Sequence, residues 1–120
     1  MTRVYVPATI DDLRSLAAGE AVGASAAYAA TRSLAAEYPD ADEEELEFAA
    51  MMAAAEDCIG DTAIVVAADV EARDDATPGV VTVGDFVLDR VASFHVGSRD
   101  ADELGWYATQ ELSDLIDELG

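Results

Sequence analysis

The run AIVVAADVEA at positions 63–72 decides how the rest of the chain is read. Its first six residues are apolar without a break, and then Asp69, Val70 and Glu71 alternate. An apolar run of that length bounded by turn residues predicts a strand buried on both faces at first and half-exposed later. Such a strand belongs in the interior of a sheet. The run is also far too short to span a bilayer.

Upstream of this strand, residues 3–7 (RVYVP) alternate Val4 and Val6 with Arg3 and Tyr5 and end in proline, the pattern of a second strand. Thr9 and Asp12 form a capping box for a short helix over Ile10, Leu13 and Leu16, which Gly19 stops. A weaker copy follows: a strand over 26–30, a cap at Thr31, a short helix over 32–37 and a break at Pro39. The tetrapeptide DADE then opens a run in which Phe48, Met52, Ala55 and Ile59 recur at helical spacing up to Gly60.

Downstream, 72–80 (ARDDATPGV) has turn chemistry, 80–83 and 91–96 are strands, and 85–90 is either a continued strand or a turn. A second DADE at 100–103 precedes LGWYATQELSDLIDEL, where Leu104, Ala108, Leu115 and Leu119 form a stripe and predict another long helix. The expected architecture is α+β: one domain over residues 1–120, with a mixed or largely antiparallel sheet of about four to five strands and two long helices packed on one face. Regular strand-helix alternation and a Gly-rich phosphate loop, which a doubly wound fold needs, are absent.

Each DADE brings three carboxylates into four residues. At a helix start, carboxylates accept from free amides and face the positive end of the dipole, so Asp40 and Asp100 are expected as caps worth about 1 kcal/mol each. A cation at the same place would face that positive end. The calcium-loop pattern also fails, because Glu45 and Met51 stand where Gly and Glu are required. No metal or cofactor site is expected.

The balance of 26 acidic against 6 basic residues, −20 in net charge, argues against direct nucleic-acid binding and against anionic membranes. The opening MTRVYVPATI lacks the apolar stretch of a signal peptide, and a soluble cytoplasmic protein is expected. The single cysteine, Cys58, rules out an internal disulfide and a Cys-based zinc cluster, and its place in the first long helix predicts a buried small hydrophobe.

His95 is the only histidine. Ser93 shares its strand face, but its side chain should run parallel to the imidazole, and no nucleophile turn of the G-x-S-x-G kind occurs. Cys58, near a helix C-terminus, faces the negative end of the dipole, a poor setting for a thiolate nucleophile. No catalytic residue is assigned on these grounds. Asp69, Asp85 and Asp89 are the carboxylates that acid-base chemistry would use if buried. Trp106, placed on the last helix, falls off its apolar stripe and is either cover for a loop or a binding anchor.

Strand alternation puts Val4, Val6, Ile64, Val66, Ala68, Val70, Ala92, Phe94 and Val96 toward the helices, leaving Tyr5, Ala63, Val65, Ala67, Val91, Ser93 and His95 on a second face. That face is too apolar for water. A protein partner is expected to cover it, a second copy of the chain in a homodimer being the simplest, or else the segments 19–25 or 85–90 fold over it. The first functional expectation is thus a non-enzymatic interaction module using Tyr5, Val65, Asp69, Ser93, His95 and Trp106. The alternative is a small enzyme or ligand-binding protein built on buried carboxylates and His95. A third is an acidic nucleic-acid mimic that occupies a basic partner.

Taken together, RVYVPATIDDLRSL, DADEEELEFAAM, IVVAADV, VASFHV and ELGWYATQELSDLI resemble an uncharacterised family of small actinobacterial proteins classed as a domain of unknown function. The blocks span nearly the whole chain. The resemblance implies a cytoplasmic single-domain protein and brings no catalytic residue with it.

If the DADE carboxylates serve backbone amides, Ca²⁺, Mg²⁺ or Zn²⁺ at fixed ionic strength will leave the melting temperature unchanged. Saturable stabilisation by one of them in a thermal-shift titration would overturn that reading.

Overall fold

The computed structural model describes residues 1–24 and 26–120. Among them are seven strands in one sheet and four α-helices. In chain order these are β1 (Thr2–Pro7), α1 (Ile10–Ala17), β2 (Ala27–Tyr28), α2 (Arg32–Glu37), α3 (Glu43–Glu56), β3 (Thr62–Val70), β4 (Ala72–Asp74), β5 (Val80–Val83), β6 (Val91–Ser98), β7 (Gly105–Ala108) and α4 (Leu112–Leu119). The sheet order is β4-β5-β2-β1-β3-β6-β7, with every neighbouring pair antiparallel.

The α+β class and the antiparallel sheet agree with the expectation; the strand and helix numbers do not. A short strand, β4, comes from the expected turn at 72–80: Ala72, Arg73 and Asp74 pair with Val83, Thr82 and Val81. The reversal between them is closed by Gly79 at φ +80°. The buried Thr31 hydroxyl accepts from the amides of both Leu34 and Gly79, so one side chain caps α2 and ties it to this turn.

β3 lies inside the sheet between β1 and β6, and Ala63–Ala68 are all buried. Alternation turns Ile64, Val66 and Ala68 to one face, where they meet Val4, Val6 and Phe94 under Leu13 and Leu16 of α1 and Leu112 and Leu115 of α4. The opposite face carries Tyr5, Ala63, Val65 and Ala67, packed against Ala50, Met51, Ala54, Ala55 and Cys58.

The expectation that the helices share one face is therefore corrected. α3 packs on the other face, over β2, β1 and β3, and supplies cover there from within the chain. Neither irregular segment does so: Val22 bridges to Phe86 and both join the α1–α4 core, while Ser25 lies outside the described residues. The sheet face with the bulkier apolar set takes only α1 and α4, and the bulky stripe of α3 is not its buried one. In the structure Phe48 and Ile59 are exposed, and the buried side is Leu46, Ala50, Met51, Ala54 and Ala55. Small residues let the helix axis approach strands that are themselves rich in alanine.

A bulge changes the alternation of β6. Ala67 pairs with Ser93 but Ala68 pairs with Val91, so Ala92 is the extra residue and Val91 turns to the α1–α4 core rather than to the α3 face.

Both DADE segments need correction. The turn Tyr38–Ala41, closed by the Ala41 amide on the Tyr38 carbonyl, places Pro39 and Asp40 in its middle. The helix starts two residues later than expected. Asp42 is its cap: Asp42 Oδ1 accepts from the Glu45 amide at 2.8 Å, and Glu45 Oε1 accepts from the Asp42 amide at 3.3 Å. The second DADE opens no helix. Ala101 N–H donates to the Ser98 carbonyl, the chain reverses, and Gly105–Ala108 pairs with β6 as an edge strand before α4 begins at Leu112. Gly, Trp and Tyr are poor helix formers, and Trp and Tyr favour strands, so the free edge of β6 captures them. No helix among the described residues is long and apolar enough to cross a membrane.

Asp42→Ala should cost about 1 kcal/mol in urea denaturation, whereas Asp40→Ala and Asp100→Ala should leave stability within experimental error. Val65→Arg, which forces a charge between β3 and α3, should unfold the protein at every salt concentration.

Candidate functional site

All six residues singled out from the sequence, Tyr5, Val65, Asp69, Ser93, His95 and Trp106, stand on the sheet face that carries α3. Register brings them together across four strands: Tyr5 opposite Ala67, Ala67 opposite Ser93, Val65 opposite His95, and His95 opposite Trp106. α3 divides this face. It packs over β2, β1 and β3, and it contributes no comparable cover to β6 and β7. Val65 is thereby sealed in the core, while Trp106, at 62% exposure, stands in the open half. Trp106 belongs to an edge strand and not to the last helix, which is why it missed the helical stripe.

Ser93 Oγ and His95 Nε2 lie 2.9 Å apart. The side chains lean together along the strand instead of running parallel, as the sequence had suggested. Burial first, and the neighbouring Arg3 charge second, push the imidazole pKa below its ordinary 6.5. Arg3 is in turn held by Asp69, with Nε–Oδ1 at 2.7 Å and Nη2–Oδ2 at 3.1 Å. That bidentate hydrogen bonding, ahead of the opposing effect of burial, holds the Asp69 carboxyl below its usual range. Asp69 is a paired surface carboxylate, not a buried acid. The Tyr5 phenol is raised by burial and then by Glu47 of α3, with Arg3 acting in the opposite direction.

A serine-histidine pair performs acyl transfer when a carboxylate steadies the imidazolium that forms. Here the charged neighbour of His95 is an arginine, which opposes imidazolium, and Ser93 is buried in mid-strand with no turn to project it. The hydrogen bond positions the imidazole on the floor of the open half-face. Cys58 has its thiol directed to the carbonyls of Ala54 and Ile64 at 3.5 and 3.3 Å and is part of the packing under α3. Asp85 and Asp89 lie away from this face, along a surface hollow with Met1, Phe86 and Arg90.

Sequence reasoning missed Arg3, Glu47 and Phe48. Arg3 was legible, since it alternates with Tyr5 on the same strand. Glu47 and Phe48 were not, because the buried side of α3 had been assigned to the wrong stripe. Phe48 is 45% exposed and, with Met52, borders a cleft closed on its other side by Arg99, Asp100, Ala101 and Asp102. Leu104, lying over Gly97 where a Cβ would come within 3.1 Å of its methyl, completes the apolar margin between α3 and β7.

At the far side of α3, the Tyr28 hydroxyl donates to Asp57 Oδ2 at 2.6 Å. Burial and this bond push the phenol up to about 12.

Two pH dependences follow. The folded pKa of His95 lies below the unfolded 6.5, so the unfolded chain takes up the proton first and stability falls as pH drops from 6.5 through the folded pKa. The stability difference between wild type and His95→Gln, from urea melts across pH 5 to 7.5, should shrink as the pH falls through that range. Tyr28 acts at the other end. Its raised pKa gives stability that is complete below 10 and lost as pH rises toward about 12, and Tyr28→Phe should remove both that loss and a phenol ionising near about 12 in an absorbance titration.

No curated protein and no solved structure matches the chain. A family model described as a family of unknown function, DUF6912, matches residues 2–103 of 120, in line with the resemblance carried by the strand and helix blocks of the sequence. The match takes in β1 to β6 and ends before Trp106, so the edge strand and α4 lie beyond it. The chain belongs to the DUF6912 family.

Proposed function

We propose that this protein is a cytoplasmic interaction module without catalytic activity, and that it binds a protein partner through the half of the sheet face that α3 leaves open. The observation that carries this reading is Trp106, 62% exposed and opposite His95 in the sheet register. A large aromatic side chain on a rigid strand, beside a half-buried imidazole held by Ser93, has the makeup of a binding anchor. Leu104, two residues before it, lies on the same α3 side of the sheet.

The chemistry of the partner follows from charge. At −20 the surface favours a basic partner over a second copy of itself, and α3 removes the apolar face that had called for a homodimer. An acidic nucleic-acid mimic would seek the same kind of partner through rows of carboxylates rather than through Trp106, so the two readings differ in their dependence on that residue. The serine-histidine bond supports a second reading, a small hydrolytic or ligand-binding site at His95. Labelling of Ser93 by a fluorophosphonate, lost in His95→Gln, would favour it.

Pull-down from native lysate at two salt concentrations, with wild type and Trp106→Ala side by side, tests the main reading. A partner that is retained at low salt, weakened at high salt and lost with Trp106→Ala is the expected result. A partner retained equally by the variant would overturn it.

A further inference from the structure

The two edges of the sheet are treated differently. β4 ends one side with Arg73 and Asp74, whose charges discourage another strand from pairing there. β7 ends the other side with Gly105, Trp106, Tyr107 and Ala108, which include no charge and no proline. Apart from its shortness, this edge carries neither the charge nor the proline by which sheets discourage pairing.

Ala108 N–H donates to Glu111 Oε1 at 2.9 Å, so it points away from β6. In an antiparallel ladder successive residues alternate between facing the partner and facing outward. Ala108 opposite Ser93 is an outward pair, and Trp106 opposite His95, two residues earlier, is therefore outward as well. The N–H and C=O of Trp106 project from the free edge. The amide of Ala108 is already capped by Glu111, which closes the edge at that end and leaves a short docking step centred on Trp106.

Charge surrounds this apolar step. Asp100, Asp102 and Glu103 precede it and Glu111 and Asp114 follow it, all in a chain of net charge −20. From the uncharged edge, the outward backbone pair and this acidic surround, we infer that β7 accepts an extended basic segment of a partner protein as an additional strand. The inference rests on the binding role proposed above for the Trp106 half-face and specifies how the partner docks. Main-chain bonds to Trp106 set the register, and cationic side chains on the α3 side of the added strand lie over the indole and toward the neighbouring carboxylates. A second copy fits poorly, because pairing β7 with itself would set the same carboxylates against each other.

Trp106 is the only tryptophan, so its fluorescence reports the site directly. The probe is a blocked peptide of alternating arginine and valine, titrated into the full chain. Binding that weakens with salt is expected. Methylating the backbone nitrogens of one alternate set of peptide residues should weaken it by about tenfold or more, while methylating the other set should leave it unchanged, since only one set faces β7. Trp106→Pro, which deletes the outward N–H without touching a bond to β6, should abolish binding more completely than Trp106→Ala, with binding of the variants read by calorimetry.

If both methylated peptides bind like the parent and Trp106→Ala still loses binding, strand addition is wrong and the half-face reading stands. Equal binding of an alternating glutamate and valine peptide, no binding of the basic peptide, or light scattering showing that the wild type pairs through β7 with itself would each overturn the inference. The pull-down with Trp106→Ala would decide the broader reading independently.

Discussion

The burial of β3 on both faces is the constraint on which the other layers depend. Ile64, Val66 and Ala68 are withdrawn from water on one side and Ala63, Val65 and Ala67 on the other. Each fully buried valine or isoleucine is worth about 2 kcal/mol only if something apolar lies against it. A sheet with helices on one side alone would leave the Val65 side wet. The chain meets the demand with helices of different character: α1 and α4 bring leucines to the side with the larger residues, and α3 brings alanines to the side where Ala63 and Ala67 leave little height. The matching of small residues across the second interface is the reason a helix with a poorly segregated sequence can pack there at all.

That choice of helix also shapes the functional surface. α3 covers the β2, β1 and β3 part of its face and stops short of β6 and β7. The uncovered part holds the half-buried His95, hydrogen-bonded to the buried Ser93, with Trp106 at the edge. Its electrostatics are locally unusual for so acidic a protein, because burial first, and then the charge of Arg3 beside it, hold the His95 pKa below its ordinary value. Asp69 holds Arg3 in place across the β1–β3 register. A neutral imidazole and an indole make a surface of low charge inside a strongly negative field.

Membership of a family of unknown function adds a boundary to this picture. The family match ends at residue 103, so the sheet core and α3 are what the family description covers, while the β7 edge and the closing helix fall outside it. The strand that completes the sheet and carries the exposed tryptophan is thus a feature read from this chain's own structure.

Local signals were legible wherever neighbouring residues settle the conformation. The interior position of β3, the Thr9–Asp12 capping box, the Thr31 cap, the strand at Val80–Val83 and the Val91–Val96 part of β6 all follow from side chains within a few positions of one another. Grouping Tyr5, Val65, Asp69, Ser93 and His95 on one face follows from the two-residue period of strands. Trp106 reached that face by another route, since its strand depends on pairing with β6 that its own neighbours do not encode. Similarly, Asp40 and Asp42 both satisfy the cap pattern, and the Tyr38–Ala41 turn selects the second. The side that α3 covers, the turn of Val91 by the Ala92 bulge and the conversion of a predicted helix start into an edge strand were decided by long-range contact. They depend on which surfaces remain unburied after the local elements have formed, and a sequence read in short windows carries no record of that.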